Sequence, residues 1–167
     1  GGVVLTVSYP FMKRYHYLPQ VHLGAAFGWA VPMAYAAQTG SMSKIGWLLY
    51  VATLLWTVAY DSMYAMVDRE DDIKIGAKST AILFGEGDRL IIGLLQFLFI
   101  LTLWLVGQEL GFSAIYFYAL MFALILLAYE QAMIFYRIPD FCFQAFLHNH
   151  WVGAVVFAGI MGHYYLA

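Results

Sequence analysis

Residues 45–72 read IGWLLYVATLLWTVAYDSMYAMVDREDD, a long apolar run that passes without a break into a block of carboxylates. Five of the ten acidic residues of the chain lie in its last twelve positions: Asp61, Asp68, Glu70, Asp71 and Asp72. A membrane helix does not normally end in this way, because each uncompensated charge near lipid costs several kcal/mol unless it meets water, a cation or a partner. The pattern therefore predicts a membrane helix with a cation site at its polar end.

The composition of the whole chain is that of a membrane protein. Of its 167 residues, 63% are hydrophobic and 11% are charged, against about 45–50% and about 25% in soluble domains, and the mean hydropathy is +0.76. We expect an all-α, polytopic transmembrane helix bundle with about five full spans, and residues 1–12 as the end of a further helix. The apolar stretches that approach the roughly 20 residues needed to cross a bilayer are 21–37, 45–67, 90–108, 112–134 and 145–166.

The beginning of the chain and its small features are less informative. It opens on Gly1-Gly2-Val3 with no initiator methionine and no charged leader, so we interpret residues 1–167 as the C-terminal part of a single transmembrane domain. The single cysteine, Cys142, excludes an internal disulfide and is expected to fill apolar space. A net charge of −2 gives no reason to expect a nucleic-acid partner.

The basic residues predict the orientation of the bundle. If the connections alternate sides, seven of the eight lysines and arginines fall on one side and only Lys44 falls on the other. An excess of lysine and arginine marks the cytoplasmic side of a membrane protein. We therefore expect the acid-rich end of the 45–72 helix to face the cytoplasm and the C-terminus to be extracytoplasmic.

The acidic residues form a regular row. Asp61, Tyr64, Asp68 and Asp72 are spaced by three, four and four residues, so they share one stripe if the helix continues to Asp72, and Glu70 then points away. Like charges on one stripe repel unless a cation lies between them. Mg²⁺ takes one or two carboxylates and completes its octahedron with water and substrate phosphate oxygens. The row therefore predicts a Mg²⁺ site at Asp68 and Asp72.

Cationic side chains are expected on the same side of the membrane. Lys78 follows Asp72 within two turns, and Lys13 and Arg14 lie in another connection on that side. A site with both acids and bases suits a diphosphate, because the acids hold the metal and the bases contact phosphate oxygens. The alternative is that 68–89 is a solvated loop with lysines that only fix orientation.

Two segments resemble the UbiA family of intramembrane prenyltransferases. Residues 61–81, DSMYAMVDREDDIKIGAKSTA, resemble its second aspartate motif, and residues 9–20, YPFMKRYHYLPQ, resemble its basic connection. The form of both is that of the branch that prenylates 4-hydroxybenzoate for ubiquinone biosynthesis. The resemblance spans the whole chain and implies about the last five helices, and part of the fourth, of a nine-helix fold in a bacterial inner membrane. The family's first aspartate motif is absent from the chain, which alone should therefore catalyse nothing.

The resemblance also implies a reaction and roles for residues. Mg²⁺ held by Asp68 and Asp72 promotes the departure of diphosphate from a polyprenyl diphosphate, and the ring of 4-hydroxybenzoate attacks the allylic cation ortho to the phenol. Asp61 and Tyr64 belong to the same catalytic row, and Tyr64 or Tyr9 could shelter the cation. The substrate-binding candidates are cationic or aromatic: Tyr9, Lys13, Arg14 and Lys78.

Two other functions stay open from the sequence. A prenyltransferase for another aromatic acceptor would carry the same pattern. A membrane transporter with a cytoplasmic cation site would also place acids in a membrane helix, but it should show charges near mid-bilayer or broken helices in matching halves. Only Pro32 interrupts a predicted span here.

Three further polar residues are expected to have structural roles. His148 and His150 are two residues apart and so lie on different helix faces, which favours interfacial packing over binding of one metal. Glu130 is seven residues from Arg137 and is expected at the membrane interface.

Overall fold

The computed structural model describes residues 1–166, and these residues are almost entirely helical, with no strand among them. Short 3₁₀ turns occur at Tyr9–Phe11, Gly85–Gly87 and Ile134–Tyr136. In chain order the α-helices are α1 (Gly2–Ser8), α2 (Met12–Tyr15), α3 (Pro19–Gly28), α4 (Ala30–Thr39), α5 (Lys44–Ile75), α6 (Thr80–Phe84), α7 (Asp88–Leu110), α8 (Ala114–Met133) and α9 (Pro139–Leu166).

Three helical segments of the described chain are long and apolar enough to cross a membrane, namely Thr80–Leu110, Ala114–Tyr136 and Pro139–Leu166. They contain the last three of the five predicted spans, and they make this protein a polytopic helical bundle. The last segment begins at Pro139 rather than near residue 145, because the fixed backbone angle of proline suits the first turn of a helix. Helix α5 is not one of these three, although its 32 residues reach roughly 48 Å.

The stretch 21–37, which we expected to be one span, is a bent pair of helices. It divides at Trp29 into α3 and α4, which have ten residues each. Pro32 explains the break, because it has no N–H to donate to the carbonyl group of Gly28 four residues earlier.

Helix α5 is the centre of the bundle and packs against α3, α7 and α9, while α8 packs against α9 and α7. Glycine allows α3 to approach α5 closely: a Cβ atom added to Gly24 of α3 would lie 3.2 Å from the carbonyl oxygen of Leu54 in α5. Close approach through small residues is how membrane helices gain packing without a hydrophobic driving force between them. The buried side chains form two clusters along α5, one around Met63 and Ile92 and one around Phe99 and Leu120.

Ionic contacts lie at both ends of the bundle, as the alternation of connections predicts. At one end Lys44 Nζ is 3.1 Å from Glu109 Oε2, which joins the start of α5 to the end of α7. The other end holds the acid-rich part of α5, the start of α7 and the start of α9, and it contains the remaining ion pairs of residues 1–166 that we describe below.

Candidate functional site

The acid-rich row lies on one continuous helix. Helix α5 runs to Ile75 and ends where Gly76 adopts a left-handed conformation (φ 70°), which glycine does without steric cost. Within the row Asp72 is buried and Asp68 is partly buried, whereas Glu70 and Asp71 are exposed. The helix therefore turns Asp68 and Asp72 toward the protein and Glu70 away from it, which is the face assignment that the spacing predicts.

Lys13 occupies the space between the two aspartates. Its ammonium nitrogen lies 3.4 Å from Asp72 Oδ1 and 3.9 Å from Asp68 Oδ2. The side chain of Asp72 is 6% exposed, those of Asp68 and Lys13 are 35% and 42% exposed, and the second oxygen of Asp72, Oδ2, is buried without a hydrogen-bond partner. Burial raises the pKa of Asp68, Lys13 opposes that rise, and Asp72 and Asp71 add to it by repulsion. The two carboxylates thus face the ammonium group of Lys13, but Asp72 Oδ2 still has no hydrogen-bond donor.

Backbone contacts hold Lys13 in this position. The amide N–H of Lys78 donates to the carbonyl oxygen of Lys13 at 2.9 Å, which fastens the turn after α5 to the short helix α2. The ammonium group of Lys78 donates to the carbonyl oxygen of Tyr15 at 3.1 Å and lies 5.3 Å from the ring centroid of Tyr17. Lys78 therefore anchors the connection that carries Lys13, and its ammonium group is not paired with the aspartates.

A buried polar contact strengthens the same turn. The hydroxyl group of Thr80 forms a 2.8 Å hydrogen bond with the hydroxyl group of Ser62 in α5. The amide N–H of Thr80 donates to Gln20 Oε1 at 3.0 Å. Ser79 caps α6 by accepting from the amide of Ile82, as serine commonly does at this position. The alternative that 68–89 is merely a solvated loop is wrong, because much of it is helix and Ser79 and Thr80 are fully buried.

The other predicted site residues lie around this pair without contacting it. Arg14 is exposed, and no carboxylate of residues 1–166 forms an ion pair with it. Tyr9 is half-buried in the 3₁₀ turn before α2. Asp61 is half-buried, deeper along α5, and has no ion pair in the described chain. The ring of Tyr64 is partly exposed and lies 5.2 Å from that of Phe146 on α9.

An apolar groove of about 350 Å³ continues the row into the bundle. The ring of Phe146 joins the two features, because its centroid lies 5.8 Å from that of Tyr60 in the groove and 5.2 Å from that of Tyr64 in the row. Asn149 fixes one wall by accepting a 3.0 Å hydrogen bond from Trp56 Nε1. The main lining residues come from α3, α5 and α9: Phe27, Thr53, Trp56, Thr57, Tyr60 and Phe146.

The donor set fits a divalent cation only in part. Within residues 1–166 no three histidine, cysteine, aspartate or glutamate side chains converge into a metal-binding group. Asp68 and Asp72 nevertheless present two carboxylates to one cationic position, and Asp72 Oδ2 is a buried acceptor without a donor. Such a pair suits Mg²⁺, which uses one or two carboxylates and takes its other oxygens from water and phosphate.

Sequence reasoning missed a second ionic cluster, which is centred on Asp88. This carboxylate is fully buried at the start of α7, and it accepts from Arg137 Nε at 2.9 and 3.0 Å and from Arg69 Nη1 at 3.4 Å. Among the described residues, Arg137 is the one non-glycine residue with a positive φ angle (55°). Its hydrogen bond with Asp88 raises the pKa of its guanidinium group. The cluster ties together α5, α7 and the turn before α9, so it stabilises the end of the bundle on which the Lys13 pair lies.

Glu130 lies inside the bundle rather than at its surface. Its side chain is fully buried between α7, α8 and α9, where Gln96 Nε2 lies 3.2 Å from Oε2 and His148 Nδ1 lies 3.0 Å from Oε1. A carboxyl group inside a membrane bundle needs such partners. The packing role expected for His148 agrees with this contact, and Cys142 is buried as expected.

Known proteins resemble this chain over almost its full length. Residues 1–162 match the UbiA prenyltransferase family. The 4-hydroxybenzoate octaprenyltransferase of Methylococcus capsulatus is 56% identical over 163 residues, which are 98% of this chain and 56% of the relative. The enzyme of the same name from Alcanivorax borkumensis is 54% identical over 165 residues, 99% of this chain and 57% of the relative. The chain thus spans little more than half the length of these relatives.

A solved structure shares the fold. The apo structure of a UbiA homolog from Aeropyrum pernix K1 superposes with a TM-score of 0.79 at 24% sequence identity, and the match covers 96% of this chain and 60% of that one. The helix arrangement described above is therefore that of an experimentally known bundle.

Proposed function

Because the chain belongs to the UbiA prenyltransferase family, we propose that the full-length protein transfers a polyprenyl group from polyprenyl diphosphate to the ring of 4-hydroxybenzoate, ortho to the phenol, in ubiquinone biosynthesis. The names of the relatives support this acceptor. The structural observation that carries the proposal is the pair Asp68 and Asp72, which share a cationic position on the same helix that lines an apolar groove farther along its length.

The charged end of the site suits the diphosphate of the donor. Asp68 and Asp72 would hold Mg²⁺, which when bound would neutralise the charge of the leaving diphosphate. Lys13 pairs with both carboxylates, and once Mg²⁺ takes its place its ammonium group could bind a phosphate oxygen of the donor. In the reaction, the bond between the allylic carbon and the diphosphate oxygen breaks and its electron pair leaves with the diphosphate. A bond then forms between the allylic carbon and the ring, and the attacked ring carbon loses its proton.

The apolar groove suits the prenyl chain. Its walls are largely aromatic, and the rings of Tyr60 and Tyr64 both contact that of Phe146, so either ring face could stabilise a developing allylic cation. A cation over an aromatic face is stabilised electrostatically, and more strongly where water is excluded.

Arg14 is our candidate for the carboxylate of 4-hydroxybenzoate. It lies next to Lys13 in sequence, is exposed and has no acidic partner among the described residues. A guanidinium group can bind a carboxylate through two parallel hydrogen bonds. Tyr9, three residues before the basic helix α2 begins at Met12, is a candidate wall for the ring of the acceptor.

The same proposal includes the membrane setting. The relatives are bacterial enzymes, and the helices form a multi-pass bundle. We place this bundle in the bacterial inner membrane with the Asp68 end toward the cytoplasm, since seven of eight basic residues lie on that side. The C-terminus is then extracytoplasmic.

The acceptor can be tested with purified full-length protein, a polyprenyl diphosphate and Mg²⁺. We expect mass spectrometry to show one prenyl group on the carbon ortho to the phenol of 4-hydroxybenzoate. Phenol, which lacks the carboxylate, should be a much poorer acceptor. Equal transfer to phenol would show that the carboxylate is not recognised, and no transfer to either would contradict the proposal.

A further inference from the structure

A second binding feature lies on the other side of the bundle, between α7 and α8. It is an open furrow of about 790 Å³, within the range of roughly 300–1,000 Å³ typical of small-ligand sites. Its residues are separate from those of the Lys13 site, which faces α2. Arg89 lies at its mouth, and its walls are formed by Leu90, Gly93 and Leu94 of α7 and by Gln131, Ala132 and Phe135 of α8 and the following turn.

The guanidinium group of Arg89 is only partly used. Its Nη1 atom donates to the carbonyl oxygen of Phe135 at 2.9 Å, and its central carbon lies 4.4 Å from the ring centroid of Phe135. Its Nε atom is buried without an acceptor, and in residues 1–166 no carboxylate pairs with it. The neighbouring Asp88 is already bound by Arg137 and Arg69. Arg89 therefore carries a charge that no carboxylate of the described chain pairs with, and its hydrogen-bonding capacity is only partly satisfied.

Apart from Gln131, the rest of the furrow is apolar, and its α7 wall faces outward. Leu90 and Leu94 are 79% and 54% exposed, and both lie in a segment apolar enough to cross a membrane. Gly93 leaves a gap in the α7 wall, since a Cβ atom there would make only ordinary contact, 3.6 Å, with Gln131. Tyr136, an exposed aromatic residue next to Phe135, is of the kind found where a span meets the headgroup layer.

From these contacts we propose that the furrow binds an anionic phospholipid, with its phosphate on the guanidinium group of Arg89 and an acyl chain along Leu90, Gly93 and Leu94. One cation at the rim and an apolar path below it fit a molecule that is anionic at one end and apolar along the rest. Arginine binds phosphate through paired N–H groups. Basic pockets between membrane helices are known to take anionic headgroups.

The proposal is tested on the full-length protein by native mass spectrometry in detergent, with phosphatidylglycerol and phosphatidylcholine of identical acyl chains. The unaltered protein should bind phosphatidylglycerol more tightly. Arg89→Gln should weaken that binding about fivefold, as expected for the loss of one basic residue near a headgroup, and should weaken binding of phosphatidylcholine less, because its choline group already offsets the charge of its phosphate. The matched control Lys74→Gln removes an exposed charge outside the furrow and should change neither lipid.

A second variant separates the furrow from the charge. Gly93→Leu fills the furrow and keeps Arg89, so it should weaken binding of both lipids, while a large excess of inorganic phosphate should not displace phosphatidylglycerol from the unaltered protein. The proposal would be overturned if the two lipids bound equally well, or if Arg89→Gln and Lys74→Gln had equal effects. It would also be overturned if inorganic phosphate displaced phosphatidylglycerol completely. A disulfide-linked dimer through Leu90→Cys would overturn it as well, because a second copy of the chain would then cover this face.

Discussion

The ammonium group of Lys13 lies 3.4 Å from a carboxylate oxygen of Asp72, although the two residues are 59 positions apart in the chain. The carboxylate is nearly buried and the lysine is partly exposed. The fold thus brings a partly exposed cation to a buried anion, at the position where the sequence predicts a metal ion. We infer that Lys13 and a metal compete for the charge of the same carboxylate pair.

This competition predicts how metal affects stability. In the full-length protein, Lys13→Met should lower the free energy of unfolding without metal by about 1–3 kcal/mol, because Asp72 loses its partner while buried. Addition of Mg²⁺ should restore that loss, so thermal unfolding should show a larger stabilisation by Mg²⁺ in the variant than in the unaltered protein.

The matched control is Lys74→Met. Lys74 pairs at 2.9 Å with Asp71, and both side chains are well exposed, so the change should shift stability by no more than about 0.5 kcal/mol and leave the effect of Mg²⁺ unchanged. An equal effect of Mg²⁺ on Lys13→Met and the unaltered protein would show that lysine and metal do not share the site.

The Asp88 cluster should contribute to stability. Asp88→Asn removes the charge on which Arg137 and Arg69 converge, and we expect a loss of about 1.5–3 kcal/mol in the free energy of unfolding, the range for hydrogen bonds to charged groups. Glu86→Gln is the control, since Glu86 also pairs with Arg137 but its side chain is 88% exposed. Chemical unfolding of both variants in detergent measures the difference, and similar losses would mean that burial of Asp88 is unimportant.

The groove should select for the prenyl chain of the donor. The larger side chain of Thr53→Trp would fill part of the groove. In the full-length enzyme it should raise the KM for a long polyprenyl diphosphate, and this increase should be about tenfold larger than the increase in the KM for a donor of two isoprene units. Phe122→Trp, on the outward face of α8, is the control and should alter neither value. If both donors lose affinity equally, the prenyl chain lies elsewhere.

Arg14 provides a test of acceptor binding. Arg14→Lys keeps the charge but loses the paired N–H groups, so it should raise the KM for 4-hydroxybenzoate and leave the KM for the prenyl donor nearly unchanged. The opposite pattern would assign Arg14 to the diphosphate. Unchanged values for both substrates would leave it as a residue that only fixes orientation.

Periodicity and charge were enough to predict the bundle and the polar row. The spacing of Asp61, Tyr64, Asp68 and Asp72 requires one helix through Asp72, and α5 continues to Ile75. The division of the 21–37 stretch into α3 and α4 was harder to predict from the sequence, because one proline does not by itself show whether a helix kinks or divides.

The partners of buried charges could not be predicted, because they depend on contacts between distant segments. Lys13 rather than Lys78 meets the aspartates, since the backbone of Lys78 holds α2 in place. Asp88 and Glu130 looked like residues of a loop and of an interface, yet both are fully buried against partners at least 18 positions away. A signal existed for Asp88: it lies two residues before the apolar run 90–108, where an acid favours a helix start.

The most direct test of the proposed site compares neighbouring aspartates in the full-length enzyme. Asp72→Asn and Asp71→Asn make the same chemical change one residue apart, but Asp72 faces Lys13 and Asp71 is exposed toward Lys74. We predict that Asp72→Asn abolishes Mg²⁺-dependent prenyl transfer to 4-hydroxybenzoate while the protein stays folded, and that Asp71→Asn retains most of the activity. Equal losses in the two variants, or full activity of Asp72→Asn, would contradict the assignment of the metal site to this face of α5.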